Sequence, residues 1–360
     1  QKTAYEMLRS LVGSEMCIRD SPCHLRLLNL LSADSAIQAH YGLLLLKHVH
    51  PYDMRSKLPL RRDSWLRWLI KLLGCLPLEV RRRVGRFLGA AFSFLPTKER
   101  RVAQLQLDNF LAAAGGRKIV ARVYAGLGQS LLESINLAPI LQNPDLFIEC
   151  PDLAEIRRLL SRNKPIVALT AHTGIWDLLA AYIVSLGIPL TAAGRAARIR
   201  AFQEILAEIR SKYGVQTIWR AERGGGKALL RSLQNQRVVA ALIDQDTQVA
   251  SVFAPFFGVP VKTPSGLISL GKKIRALFVS AFMFRSARNR YRLYIEEIDG
   301  SLPVQTIAAV FNQRLEKLLR RYPDQWVWMH KRWRSSPDHG TMSTDQYCRF
   351  LEERLRHANL

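Results

Sequence analysis

The sequence predicts an α/β fold, with a central, mostly parallel sheet flanked by helices and a helical segment ahead of it. Three observations carry that prediction. From Pro165 to Tyr322, short apolar runs alternate with amphipathic ones, the pattern of strands joined by helical crossovers. The 360 residues are 48% apolar and 23% charged, enough to bury a sizeable core and to exclude a mainly disordered chain. No uncharged run reaches the ~18 residues of a spanning helix, and the nearest approach, Leu178–Gly194, is broken at Gly187-Ile188-Pro189.

The elements follow in order. From Ser64, Trp65, Trp68, Leu69 and Leu72 recur at helical spacing with Arg67 and Lys71 between them. Phe87–Leu95 is a second apolar stretch, closed by Pro96 and preceded by Arg81, Arg82, Arg83 and Arg86. Two tryptophans and a basic cluster suit a helix lying in a membrane interface, and equally an amphipathic helix packed on the domain. Pro165–Thr170 reads as a strand, Asp177–Leu186 as a helix closed by Gly187, and Pro189–Ala193 as a strand. Ile199–Tyr213 reads as a helix ended by Gly214, Val215–Trp219 as a strand, Lys227–Gln234 as a helix and Arg237–Ile243 as a buried strand. Pro264–Ile274 reads as a helix with Thr263 as N-cap and Pro264 at its first position. Ala276–Arg285 and Tyr291–Ile298 read as strands, and Val304–Tyr322 as a long amphipathic helix. Residues 335–360 are polar and read as a peripheral tail.

The net charge of +24 favours an anionic partner. Residues 1–53 contribute none of it: Lys2, Arg9, Arg19, Arg26 and Lys47 balance Glu6, Glu15, Asp20, Asp34 and Asp53. Met16-Cys17-Ile18-Arg19-Asp20-Ser21 resembles the translation of a sequencing-library adapter, so residues 1–53 are expected to be non-native, with Met54 as the start. The alternative is a native extension with a Leu-rich helix. Residues 54–100 are then expected to form an N-terminal membrane-associated helical segment and 101–334 the main domain. The five cysteines, Cys17, Cys23, Cys75, Cys150 and Cys348, are odd in number, scattered and without a CxxC. That excludes a disulfide scaffold. No His/Cys cluster has metal spacing, Gly224-Gly225-Gly226-Lys227 lacks phosphate-loop spacing, and no GxSxG elbow occurs.

Chemistry concentrates at strand ends, where open α/β sheets bind ligands. Thr170-Ala171-His172-Thr173-Gly174-Ile175-Trp176-Asp177 reads as strand end, turn and helix start. His172 and Asp177 can converge across the turn, with Asp177 accepting the Nδ1 proton and leaving Nε2 to act as general base. The spacing alone is weak, since His48 and Asp53 share it, and a buried histidine capping a turn is the plain alternative. Asp244-Gln245-Asp246 follows the strand Arg237–Ile243 at the same edge and can support the histidine or a substrate hydroxyl; ordinary turn chemistry is the alternative. Phe256 and Phe257, in the uncharged run Phe253–Pro260, suit an acyl-chain groove or simply core. The helix start at Thr263 can bind an anion, as can Arg210 and Arg195. Trp326, Trp328 and Trp333, among basic residues, suit a nucleic acid or a membrane face.

Taken together, these segments resemble the bacterial lipid A late acyltransferases, the lauroyl/myristoyl transferases of the lysophospholipid acyltransferase superfamily. The resemblance runs from about Trp65 to Trp333. It covers the HxxxxD/E block at His172–Asp177, R-x-x-x-G at Arg210–Gly214, DQD at Asp244–Asp246 and FFG-x-P at Phe256–Pro260. An N-E pair at Asn312 and Glu316 and the block Pro323–Trp333 complete it. The resemblance implies transfer of a fatty acyl group from acyl carrier protein or acyl-CoA to a hydroxyl of a lipid acceptor, with no cofactor or metal. It also implies attachment to the cytoplasmic face of the inner membrane and an anionic lipid surface as partner. His172 is then the general base, Asp177 its orienting partner, Arg210 a contact for anionic substrate and Asp244 a support. Many lipid A enzymes carry Glu at the position of Asp177, while Asp occurs in glycerolipid and mannoside relatives. The acceptor is therefore a lipid A precursor or similar glycolipid, or else a lysophospholipid, mannoside or ornithine lipid. A nucleic-acid-binding protein would explain the charge but leave the His172 turn without a role.

Overall fold

The structure, a computed structural model, describes residues 64–358 apart from 112–115, 196–199, 221–223, 287–289 and 339. The expectations for residues 1–53, for Met54 and for the His48–Asp53 pair lie outside the described residues. The strands are β1 (Ile148–Glu149), β2 (Ile166–Thr170), β3 (Leu190–Gly194), β4 (Gln216–Trp219), β5 (Val238–Leu242), β6 (Ser251–Phe256), β7 (Val259–Pro264), β8 (Leu277–Arg285) and β9 (Tyr291–Ile298). Seven of them form one sheet in the order β1-β9-β8-β2-β5-β3-β4, while β6 and β7 pair separately. Within the sheet only β8 and β9 run antiparallel. Residues 286–290 join them, and a parallel crossover needs a dozen residues or more.

The sheet is covered on both faces, which is why its strands are nearly continuous apolar runs. Helices α7 (Leu153–Ser161), α8 (Trp176–Ser185) and α9 (Arg200–Ser211) pack with Ile166, Ala168, Leu190 and Val238 on one face. Helices α10 (Gly225–Gln234), α11 (Gly266–Lys273) and α12 (Val304–Arg321) pack with Val167, Leu169 and Val239 on the other.

Ahead of the sheet come α1 (Ser64–Cys75), α2 (Leu78–Phe92), α3 (Lys98–Leu111), α4 (Gly116–Ser134) and two single turns, α5 (Ala138–Leu141) and α6 (Pro144–Phe147). α2 lies directly against α4: a Cβ on Gly85 would overlap the carbonyl oxygen of Gly128, so the two backbones touch there. This contact takes Arg81 and Arg82 out of the basic cluster that the sequence offers to a membrane. Both are buried. Arg81 donates to the Leu132 and Glu133 carbonyls at 3.1 and 3.0 Å. Arg82 Nε pairs with Glu133 Oε1 at 2.6 Å. Glu133, fully buried, also accepts from Arg285 Nη2 at 2.8 Å and Tyr291 Oη at 2.5 Å, locking α4 to β8 and β9.

Eight of the ten exposed large apolar side chains among the described residues lie between residues 65 and 95: Trp65, Trp68, Leu72, Val80, Phe87, Leu88, Phe94 and Leu95. Exposed Lys71, Arg83 and Arg86 flank them. No described helix is long and apolar enough to cross a membrane.

Residues 335–358 are not a peripheral tail. After a short ribbon, β10 (Ser335–Ser336) with β11 (Gly340–Thr341), α13 (Thr344–Ala358) buries Tyr347 and Leu351 in the core. The Tyr347 hydroxyl donates to Gln106 on α3 at 2.7 Å. Few apolar positions on a charged helix suffice when they share one stripe.

Candidate active site

The turn after β2 is held from three sides. Gly174 has φ +50, and a Cβ there would overlap the Met283 carbonyl oxygen of β8, so the residue must be glycine. Its N–H donates to the Gln325 carbonyl at 2.9 Å, and its carbonyl accepts from Ser130 Oγ of α4 at 2.6 Å. Arg285 Nη2 donates to the same Ser130 oxygen at 2.6 Å. The buried cluster at Glu133 is thereby tied to the histidine turn.

His172 Nδ1 lies 2.8 Å from Asp244 Oδ1. Asp244 Oδ2 accepts from the His172 backbone N–H at 2.9 Å and from Trp326 Nε1 at 2.8 Å. Burial pushes the Asp244 carboxyl up, but the charge and hydrogen bonds of His172, with the bond from Trp326, outweigh burial and hold it at about 2. An ionised carboxylate only accepts, so Nδ1 carries a proton, and in the neutral ring Nε2 is the nitrogen with the lone pair. Nε2 has no hydrogen bond to any described residue.

The Nδ1 partner therefore differs from the one the spacing offers. Asp177 is bonded by Arg210, Nε to Oδ1 at 3.3 Å, with both side chains buried. The reason is strand order. β5 pairs directly with β2, Thr170 opposite Leu242, so the residues two positions beyond each strand, His172 and Asp244, meet across neighbouring strands. Asp177 is the second residue of α8 and meets Arg210 at the end of α9. Burial pushes Arg210 down to about 9, which leaves it cationic at neutral pH.

Beside these groups lies an apolar cavity that opens to the surface. Thr170, Trp176, Asp177 and Arg210 form its polar end. Its wall crosses the sheet at Ala192, Ala240 and Ala168, which stand in register on three adjacent strands. Three side chains reduced to methyl groups at one level leave a hollow beneath α8. The cavity continues to Ile166, Leu190 and Val238. From Thr170 to Ile166 is four residues, or ~13 Å at ~3.3 Å per residue.

The other expected residues fall elsewhere. Phe256 and Phe257 do not line this cavity. They are buried against Trp326, Trp328 and Trp333 on the opposite face of the sheet. Phe257 and Gly258, with φ 51 and 73, make the two-residue turn of the β6–β7 hairpin, and Glu316 accepts from the Phe257 N–H at 2.7 Å. Both central φ values are positive, the turn that matches strand twist. Thr263 is not a helix cap: it belongs to β7, and its hydroxyl accepts from Arg332 Nη2 at 2.9 Å and Asn312 Nδ2 at 3.2 Å. Hairpin pairing holds it in the strand, and α11 starts after Ser265. Gln245 is half-buried beside Asp244, and Arg195 is exposed just past β3. The tryptophan block is core rather than a nucleic-acid or membrane face, with Trp326, Trp328 and Trp333 each 2% exposed or less. Trp326, which the sequence offers to a nucleic acid or a membrane face, instead holds the carboxylate of the site. Its position in a Trp-rich block was the signal, but its partner, Asp244, is 82 residues away. Among the described residues no group of His, Cys, Asp or Glu could hold a metal ion.

The family model described as bacterial lipid A biosynthesis acyltransferase matches residues 55–335. A lipid A biosynthesis palmitoleoyltransferase of Escherichia coli K12 is 26% identical over 288 residues, covering 76% of this chain and 92% of that protein. A lipid A biosynthesis acyltransferase of Haemophilus influenzae is 23% identical over 296 residues, 78% of this chain and 91% of that one. A phosphatidylinositol mannoside acyltransferase of Mycolicibacterium smegmatis is 22% identical over 185 residues, 51% and 61% of the two chains.

Proposed function

The chain belongs to the bacterial lipid A biosynthesis acyltransferase family and is an acyltransferase, and from that premise we propose that it transfers a fatty acyl group from an acyl thioester, on acyl carrier protein or coenzyme A, to a hydroxyl of a lipid A precursor or similar glycolipid. The observation that carries this reading is the His172 ring, bonded at Nδ1 to a buried carboxylate and unbonded at Nε2, beside the polar end of a long apolar cavity.

In this mechanism Nε2 takes the proton of the acceptor hydroxyl. Asp244 holds the tautomer and stabilises the imidazolium that forms, a step typically worth ~10²–10⁴ in rate. The acceptor oxygen attacks the thioester carbonyl carbon, the C–S bond breaks, and the proton on Nε2 passes to the leaving thiolate. The acyl chain lies in the cavity across the alanine row. Arg210, paired to Asp177 in the cavity wall, orients the polar end. The exposed Trp65, Trp68, Phe87 and Phe94, with Lys71, Arg83 and Arg86, dock the enzyme on the anionic cytoplasmic face of the inner membrane; apolar rings at headgroup depth and basic residues near anionic lipid each favour that binding.

The test is expression in a strain lacking its own late acyltransferases, followed by mass spectrometry of the lipids. The parent protein should add one acyl chain to lipid A, and His172→Ala should add none while still folding. A parent protein that leaves lipid A unchanged overturns the acceptor. Gain of an acyl chain on a mannoside instead would support the second reading, which the similarity to the mannoside acyltransferase favours.

A further inference from the structure

Two neutral hydrogen-bond donors on residues of the cavity wall have no acceptor among the described residues. Thr170 Oγ1 and Trp176 Nε1 are sealed from solvent, line the polar end of the cavity and are bonded to no described residue. Buried polar groups in native proteins are nearly always bonded, and an orphan costs ~1–3 kcal/mol. Thr170 is the last residue of β2, 6% exposed, on the same face of the strand as Ala168. Trp176 opens α8, and its ring packs edge-on to the His172 ring with centroids 5.2 Å apart. Asp177 and Arg210, at the same end of the cavity, are bonded to each other. Thr170 and Trp176 therefore flank the histidine in sequence, line the same cavity and each carry a buried donor with no hydrogen-bond partner.

From this geometry, and resting on the acyl-transfer reading above, we infer that the Thr170 hydroxyl and the Trp176 indole N–H form the oxyanion site of the reaction. When the acceptor oxygen bonds to the thioester carbon, the carbonyl π pair moves to the carbonyl oxygen. That oxygen, now anionic, accepts from Thr170 and Trp176. When the pair returns, the C–S bond breaks, the sulfur leaves with its electrons and takes the proton from His172 Nε2. Donors already fixed in a water-poor site need no reorganisation as the charge develops, which makes such groups among the largest contributors to rate. The orphan state without substrate is the stability cost of that arrangement.

Thr170→Val and Trp176→Phe each delete one donor and keep most of the shape. Each should lower kcat by ~10²–10³, with KM for the acyl donor changed only a few-fold. Melting temperature should hold or rise, because the lost group was unpaired. Thr170→Ser should retain most of the activity. A measurement independent of turnover is the carbonyl stretch of a carbon-13-labelled acyl thioester bound to the protein. It should lie at lower frequency in the parent than in either variant. Variants within threefold of the parent kcat, an unshifted carbonyl stretch, or activity lost together with several degrees of melting temperature would each overturn the assignment. A parent protein that binds the thioester with a shifted stretch yet acylates no lipid would instead overturn the proposed function and leave the donors standing.

Discussion

Asp244→Asn separates the site described here from the one that sequence spacing offers. The carboxylate meets three donors. Oδ2 takes two of them, the His172 backbone N–H at 2.9 Å and Trp326 Nε1 at 2.8 Å. Neither can accept in return. An asparagine must therefore set its oxygen at the Oδ2 position and turn its NH2 toward His172 Nδ1. Nδ1 has then to accept, which moves the ring proton to Nε2 and removes the base. The imidazolium also loses its counter-charge. The same exchange in serine hydrolase triads lowers kcat ~10⁴-fold through the wrong tautomer, and a loss of ~10³–10⁴ is expected here. Volume and two of three hydrogen bonds are kept, so melting temperature should change little. The assay is steady-state acyl transfer from an acyl thioester, with nitrogen NMR of the His172 ring to read the tautomer. Activity within tenfold of the parent, or a ring still protonated at Nδ1, would overturn the role given to Asp244. Asp177→Asn should differ in kind. It leaves the buried Arg210 without its carboxylate, so stability falls together with activity.

Three further outcomes follow from other parts of the molecule. Ala240→Leu puts a branched side chain in the middle of the alanine row and should abolish transfer of long chains while sparing short ones; competition between donors of different length, read by mass spectrometry, checks this, and an unchanged preference would show that the chain lies elsewhere. Glu133→Ala takes the buried carboxylate from Arg285 and from Arg82, which keeps its pair with half-exposed Glu79, and should cost ~3–5 kcal/mol in urea unfolding. Burial pushes His330 down to about 3, against the opposing pull of Asp244. The unfolded chain takes up a proton near pH 6.5 that the folded one declines, so this stability is complete above that pH and is lost as pH falls toward 3, at up to ~1.4 kcal/mol per pH unit. His330→Asn should flatten the unfolding profile between pH 6.5 and 4, and an unaltered slope would count against a ring kept neutral by the fold.

Much of the sheet was legible because its strands carry period and punctuation locally. Pro165–Thr170 and Arg237–Ile243 are short apolar runs between turn residues, and the structure forms strands there. The reading failed where a neighbour distant in sequence decides. Arg81 and Arg82 look like the exposed arginines beside them until α4 brings Glu133 to meet them. Thr263 before Pro264 reads as a helix cap, but pairing with Val252 extends the strand through it. The tryptophans of the block Pro323–Trp333 look amphipathic beside Lys331 and Arg332, yet Arg332 is buried on Thr263 and Asn312.

Most of the elements from β2 to α12, the family and the histidine at the end of β2 were legible in the sequence, because turn chemistry, periodicity and motif spacing are properties of adjacent residues; the β6–β7 hairpin and α13 were not. Only the tertiary structure decided which carboxylate serves that histidine and where a chain can lie. Both depend on strand order: β5 beside β2 brings Asp244 to His172, and alanines from three strands make a hollow only when hydrogen bonding sets them in one row. Such juxtapositions are set by the free energy of the whole packed sheet.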